Sequence, residues 1–169
     1  MMSLAILGLS AIAAVPVAVG HDADGRIFAP PPCAYTVAFP LAPSVSRSTA
    51  TDGGQDTAAD LVRGAMRLSA ACLGSPPDRP PPPLPAANAK AQMLQMARTL
   101  GMQNVILRPL SAPRAECAAI DGALGDGTYR ISARLCLRAG ATFIAEVVYR
   151  ADIGLDASGK VFLASLGNR

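Results

Sequence analysis

Residues 125–155 read GDGTYRISARLCLRAGATFIAEVVYRADIGL, and their periodicity decides the fold class. Tyr129, Ile131, Ala133, Leu135 and Leu137 alternate with Arg130, Ser132, Arg134, Cys136 and Arg138. A period of two held this long predicts an antiparallel strand with one apolar and one wet face. After an Ala139-Gly140-Ala141 turn, Phe143, Ala145, Val147, Tyr149, Ala151, Ile153 and Leu155 keep the alternation. Asp156 to Gly159 reads as a turn, with Val161 to Leu166 returning as a last strand. A closing helix from Ser158 is the alternative, disfavoured by Gly159 and by its short length.

Upstream, Gly125 to Thr128 reads as the loop of a hairpin between Arg114–Leu124 and Tyr129–Arg138. If Leu124 pairs with Tyr129, the same register sets Cys117 opposite Cys136, because both pairs sum to 253. A cross-strand disulfide then needs no backbone movement. Cys33 and Cys72 remain to form the second bridge, a pairing favoured over the two crossed ones.

Further out, Tyr35, Val37 and Phe39 alternate before Pro40 and predict a half-buried strand over 33–39, similar to the first strand of many small exported α+β domains. Residues 41–55, rich in Ser, Thr and Gly, read as loop. Leu61, Val62, Ala65, Met66, Leu68, Ser69 and Cys72 recur at three- and four-residue spacing. They predict a helix from Asp56 or Thr57 to Leu73, stopped by Gly74. Pro76 to Pro85 predicts a polyproline II connector within 75–86, and its Arg-x-x-Pro-x-x-Pro pattern reads as spacer rather than as an SH3 ligand. A second helix is expected from Ala87 or Asn88 to Leu100, then a short strand over 104–110. The expectation is an α+β domain over 33–169: an antiparallel sheet of five or six strands, two helices packed on one face, and two disulfides.

The first 20 residues carry no charge and end in small residues, as a signal peptide does, although the usual basic residue at its start is absent. An uncleaved anchor is the alternative. Residues 21–32 are expected to be an extended Pro-rich arm. Four cysteines in an exported chain favour disulfides over metal. Lys90 and Lys160 are the only lysines and alanine is abundant, a bias of GC-rich bacteria, which points to the periplasm or secretion.

The inventory excludes much chemistry. Trp is absent, aromatics are 4% of residues and His21 is the single histidine, so His-based triads cannot be assembled. No cofactor motif is present, and Gly122-x-x-Gly125-x-Gly127 lacks dinucleotide-fingerprint spacing. His21 lacks the second histidine of a copper brace, and Met66, Met93, Met96 and Met102 read as core filling. The Asp-Gly pairs read as turns rather than calcium loops. Glu116 and Glu146 offer a weak carboxylate pair for hydrolysis.

Charge is the remaining signal. Residues 21–85 carry 5 basic and 6 acidic groups, whereas 86–169 carry 10 and 6, so the surplus falls on the C-terminal sheet. Arg130, Arg134 and Arg138 share a strand face, with Arg150 on the next strand. Glu146 and Asp152 would offset some of that charge on a merely solvated face. A non-enzymatic accessory or binding protein with an acidic protein partner is the leading functional expectation. A small carboxylate-based hydrolase and a copper-handling protein rank behind it. Nucleic acid is not expected, since stacking aromatics and dense basic clusters are missing, and neither is a membrane span once the signal is removed.

Overall fold

The computed structural model describes residues 24–76, 78, 86–111, 116–138 and 140–168. The proposed signal peptide, His21 and nearly all of the Pro-rich connector lie outside them.

The clearest expectation holds. β8 (Tyr129–Arg138) lies between β7 (Cys117–Leu124) and β9 (Ala141–Arg150), with Leu124 opposite Tyr129 and Cys117 opposite Cys136. The Cys117 carbonyl accepts from Leu110 N–H on the far side, so the cysteines form a non-hydrogen-bonded pair. Such pairs have the closest Cα atoms, here 4.0 Å apart, and the Cys117–Cys136 disulfide closes across them. Cys33 and Cys72 form the other bridge.

The β8–β9 turn differs by one residue from the expected three. Arg138 pairs directly with Ala141, so two residues make the connection, with Gly140 at φ 82°. Because side chains alternate at every residue, one residue of turn length reverses the faces. Ile131, Ala133, Leu135 and Leu137 therefore point to one side, and Phe143, Ala145, Val147 and Tyr149 to the other. Both faces of the sheet are apolar here and both must be covered. On one, Phe162 and Leu163 of α2 (Ala157–Ala164) join Phe143, Val147 and Leu68. On the other, Met93 and Ala97 of α1 (Ala86–Thr99) join Ile120, Ile131 and Leu135. The helices pack on opposite faces, not on one.

The stretch expected as a helix over 57–73 is instead a hairpin, β4 (Gln55–Arg63) and β5 (Met66–Gly74). Gly64, at φ 57°, is the first residue of a two-residue turn between paired Arg63 and Met66. Met66, Leu68, Ala70 and Cys72 fit period two as well as they fit a helix, and the hairpin avoids a mid-helix glycine. Pairing with β9 places β5 inside the sheet, next to its central strand, and buries all four residues. The expected loop contains β3 (Ser44–Thr49), which pairs with β4. Serine and threonine suit a solvated edge strand and leave no apolar pattern to detect.

The main sheet thus has seven strands rather than five or six, all antiparallel, in the order β3-β4-β5-β9-β8-β7-β6, with β6 spanning Met102–Pro109. A second sheet orders β1 (Ile27–Phe28), β2 (Tyr35–Ala38) and β10 (Gly167–Asn168). Buried Phe28 ties part of the expected free arm into the core. Tyr35, Val37 and Phe39 are inward, as their alternation predicts.

The expected last strand is α2. Asp156 caps it, its Oδ1 accepting Gly159 N–H at 2.8 Å. A strand would send Phe162 and Leu163 to opposite sides; the helix buries both. Gly159 suits the contact, for a β-carbon there would lie 2.5 Å from Leu155 Cδ1. Among the described residues no helix is long and apolar enough to cross a membrane.

Candidate functional site

The second sheet and α2 cover the β4-β5-β9 part of one main-sheet face and reach the Cys117–Cys136 end of β7 and β8. Beyond them, β6, β7 and β8 carry the arginines on the same side. Successive rows across this half-face are set by register. Arg108 stands opposite Ala119, which stands opposite Arg134; Asp121 is opposite Ser132, and Ala123 opposite Arg130. Arg108 and Arg134 are two strands apart, about 10 Å between backbones. Ala119 between them is buried, as expected where long stems lie across a small residue.

Arg130, Arg134 and Arg138 therefore share a face as expected, and Arg108 joins them. The face is wet only in part, since Ser132 and Cys136 are buried, Arg134 is half-buried, and Arg130 and Arg138 are exposed. Arg134 donates to the Ala133 carbonyl at 3.0 Å. Arg130 makes no ion pair among the described residues. Arg150 does not belong to the group. It pairs with Tyr129 on the opposite side and grips Asp152 through Nε at 3.1 Å and Nη2 at 2.7 Å.

A polar floor lies between the arginines. Ser132 Oγ donates to Asp121 Oδ1 at 2.7 Å and sits 3.3 Å from Tyr149 Oη, while Arg108 Nη2 bonds the other Asp121 oxygen. The network satisfies a serine that is only 4% exposed. At the far end Tyr35 Oη donates to Glu116, whose carboxylate also lies 3.7 Å from Arg138 Nε. The Arg138 guanidinium stands 6.0 Å from the Tyr35 ring centre. Burial and then the Glu116 carboxylate push the Tyr35 phenol above its usual range. The Tyr35 hydroxyl, more than Arg138, holds Glu116 below the ordinary carboxylate range. A cavity of about 240 Å³ opens here between Pro32, Cys33, Tyr35, Arg138 and Ala141.

Sequence reasoning missed Arg108, Asp121, Ser132 and Tyr149. The register that pairs the cysteines contains part of the answer, because Asp121 and Ser132 also sum to 253. Arg108 was hidden by a bulge between Gln103 and Ile106 that shifts the β6 register.

The other candidates separate in space. Glu116 and Glu146 project from opposite sides of the sheet and cannot flank one bond. Glu146 lies in a row with Ser69 and Asp60, where Asp60 Oδ1 accepts from Arg67 Nε at 2.9 Å and Ser69 Oγ at 2.6 Å. Burial pushes the Glu146 carboxyl upward. Met66 belongs to one core cluster and Met93, with partly buried Met96, to the other. Among the described residues no group of three or more His, Cys, Asp or Glu is placed to hold a metal.

The half-face can bind anionic groups through guanidinium forks. No family model matches this chain, and no curated protein shows significant similarity to it.

Proposed function

We propose that this is a non-enzymatic, exported accessory or binding protein whose β6–β8 half-face docks an acidic protein surface, in the periplasm or outside the cell. One observation carries the reading. Arg108, Arg130, Arg134 and Arg138 share this half-face, where Asp121 and neighbouring Glu116 are the described carboxylates. At exposed Arg130, which forms no ion pair among the described residues, Gln or Thr would solvate the position without adding charge. Guanidinium forks suit bidentate capture of carboxylates on a partner. The two disulfides support an oxidising compartment.

The test is the double substitution Arg130→Glu with Arg134→Glu, measured against polyglutamate by fluorescence anisotropy. The wild type should bind, with affinity falling as salt rises, and the variant should bind at least about tenfold more weakly while melting within a few degrees of the parent. Equal binding by both proteins would return the arginines to a purely solvating role. A tagged protein should also recover one stoichiometric partner that the variant fails to retain.

A further inference from the structure

We infer that the outer edge of β3 pairs with the same strand of a second copy of this chain, joining two seven-stranded sheets into one across a two-fold axis. β3 ends the sheet, and among the described residues β4 is its sole neighbour. Five of its six residues are exposed, and Arg47 is its single charge. Ala50 N–H donates to the Gly54 carbonyl at 2.8 Å, which sets the alternation along the strand. Ser44, Ser46 and Ser48 direct their main-chain groups to β4. Val45, Arg47 and Thr49 direct theirs outward, a row of donors and acceptors ready for another strand.

The opposite edge explains why a second copy would take this position and why assembly would stop at two. β6 carries a bulge between Gln103 and Ile106, a left-handed Asn104 at φ 51° and Pro109, and α1 packs beside it through the cluster containing Val105 and Leu107. These features blunt an edge. β3 has none of them, so a head-to-tail β3–β6 contact is disfavoured and the self-complementary β3–β3 contact closes.

Symmetry restricts the register. A two-fold axis perpendicular to the sheet keeps each face on its own side, so only residues of equal parity can stand opposite. With Arg47 on the axis, two guanidinium side chains face each other, an unfavourable pairing. With Ser46 on the axis, Arg47 lies opposite Val45 of the second copy, and Val45 and Arg47 exchange main-chain hydrogen bonds. The Ser46-centred register is therefore favoured.

Sedimentation equilibrium of the full exported protein up to about 200 μM should show a monomer–dimer equilibrium. Arg47→Pro removes an outward N–H that no bond among the described residues uses, and should weaken dimerisation at least about tenfold while melting within a few degrees of the parent. Ser46→Cys should form an intermolecular disulfide under mild oxidation, whereas Val62→Cys, exposed on a sheet face, should not. A wild type that stays monomeric across the range overturns the inference. So does an Arg47→Pro variant that folds and dimerises normally. Binding of polyglutamate is read at a different surface, so either result leaves the other intact.

Discussion

Removing the Cys33–Cys72 bridge should destabilise the protein more than removing Cys117–Cys136, although both pairs are buried. The bridges enclose sequence separations of 39 and 19 residues. In the chain-entropy account these lengths correspond to about 3.9 and about 3.2 kcal/mol at room temperature. Topology widens the gap. Cys117 and Cys136 face each other on strands already joined by a short turn and a full ladder of pairing, so residual hairpin structure in the unfolded chain reduces what the bridge adds. Cys33 lies just before β2 and Cys72 in β5, and no hydrogen-bonded ladder links the two sheets. There the bridge is the covalent tie between the layers. Paired alanine substitutions, Cys33→Ala with Cys72→Ala and Cys117→Ala with Cys136→Ala, should be compared by urea denaturation with intrinsic tyrosine fluorescence. The first pair should lose about 4 kcal/mol and the second about 2 to 3 kcal/mol, with similar m values. A larger loss for the second pair would refute the reasoning, because it would place the critical constraint inside the hairpin.

Four other substitutions probe the cores and the carboxylates. Phe162→Ala, which empties a fully buried position between α2 and the sheets, should cost about 3 to 5 kcal/mol in the same denaturation experiment. Gly122→Ala should cost about 1 to 3 kcal/mol, because its β-carbon would lie 2.9 Å from Met102 Cε and 3.1 Å from the Gln103 carbonyl oxygen. Glu146 and Glu116 should give opposite pH signatures. The raised Glu146 pKa means its contribution is present at low pH and lost as pH rises through the folded value. Glu146→Gln should therefore gain on the wild type towards neutral pH. The lowered Glu116 pKa places its contribution above the ordinary carboxylate range and loses it on acidification. Glu116→Gln should be the less stable protein at neutral pH and converge with the wild type in acid, as melting curves across the range will show.

The legible parts of this chain are those where local pattern and long-range contact agree. The β7–β8 hairpin could be placed because its turn residues suggest pairing of Leu124 with Tyr129, a register that also pairs the cysteines, while the alternation of β8 sets Arg130, Arg134 and Arg138 on one face. Helix α1 was legible because Met93 and Ala97 repeat at helical spacing before Gly101. Where small residues dominate, the pattern loses its meaning. Ala58, Ala59, Ala65, Ala70 and Ala71 are compatible with either period, and only pairing with β9 turns 55–74 into strands. Arg108 joins the basic face through a bulge, which no spacing argument anticipates.

By itself, then, the amino-acid sequence determined the chemistry available: no histidine pair, four cysteines, and a basic surplus concentrated on alternating strands. It also offered the β7–β8 register, conditional on Leu124 pairing with Tyr129, because that one pairing sets the two cysteines opposite each other. The tertiary structure alone decided which side of the sheet each strand presents. A single residue in the β8–β9 turn sends the Ile131 and Phe143 series to opposite faces, and two apolar faces need a cover each. That is why α1 and α2 lie on opposite sides, why Asp156 to Ala164 winds into a helix that buries Phe162 and Leu163 together, and why Arg150 is separated from the other arginines.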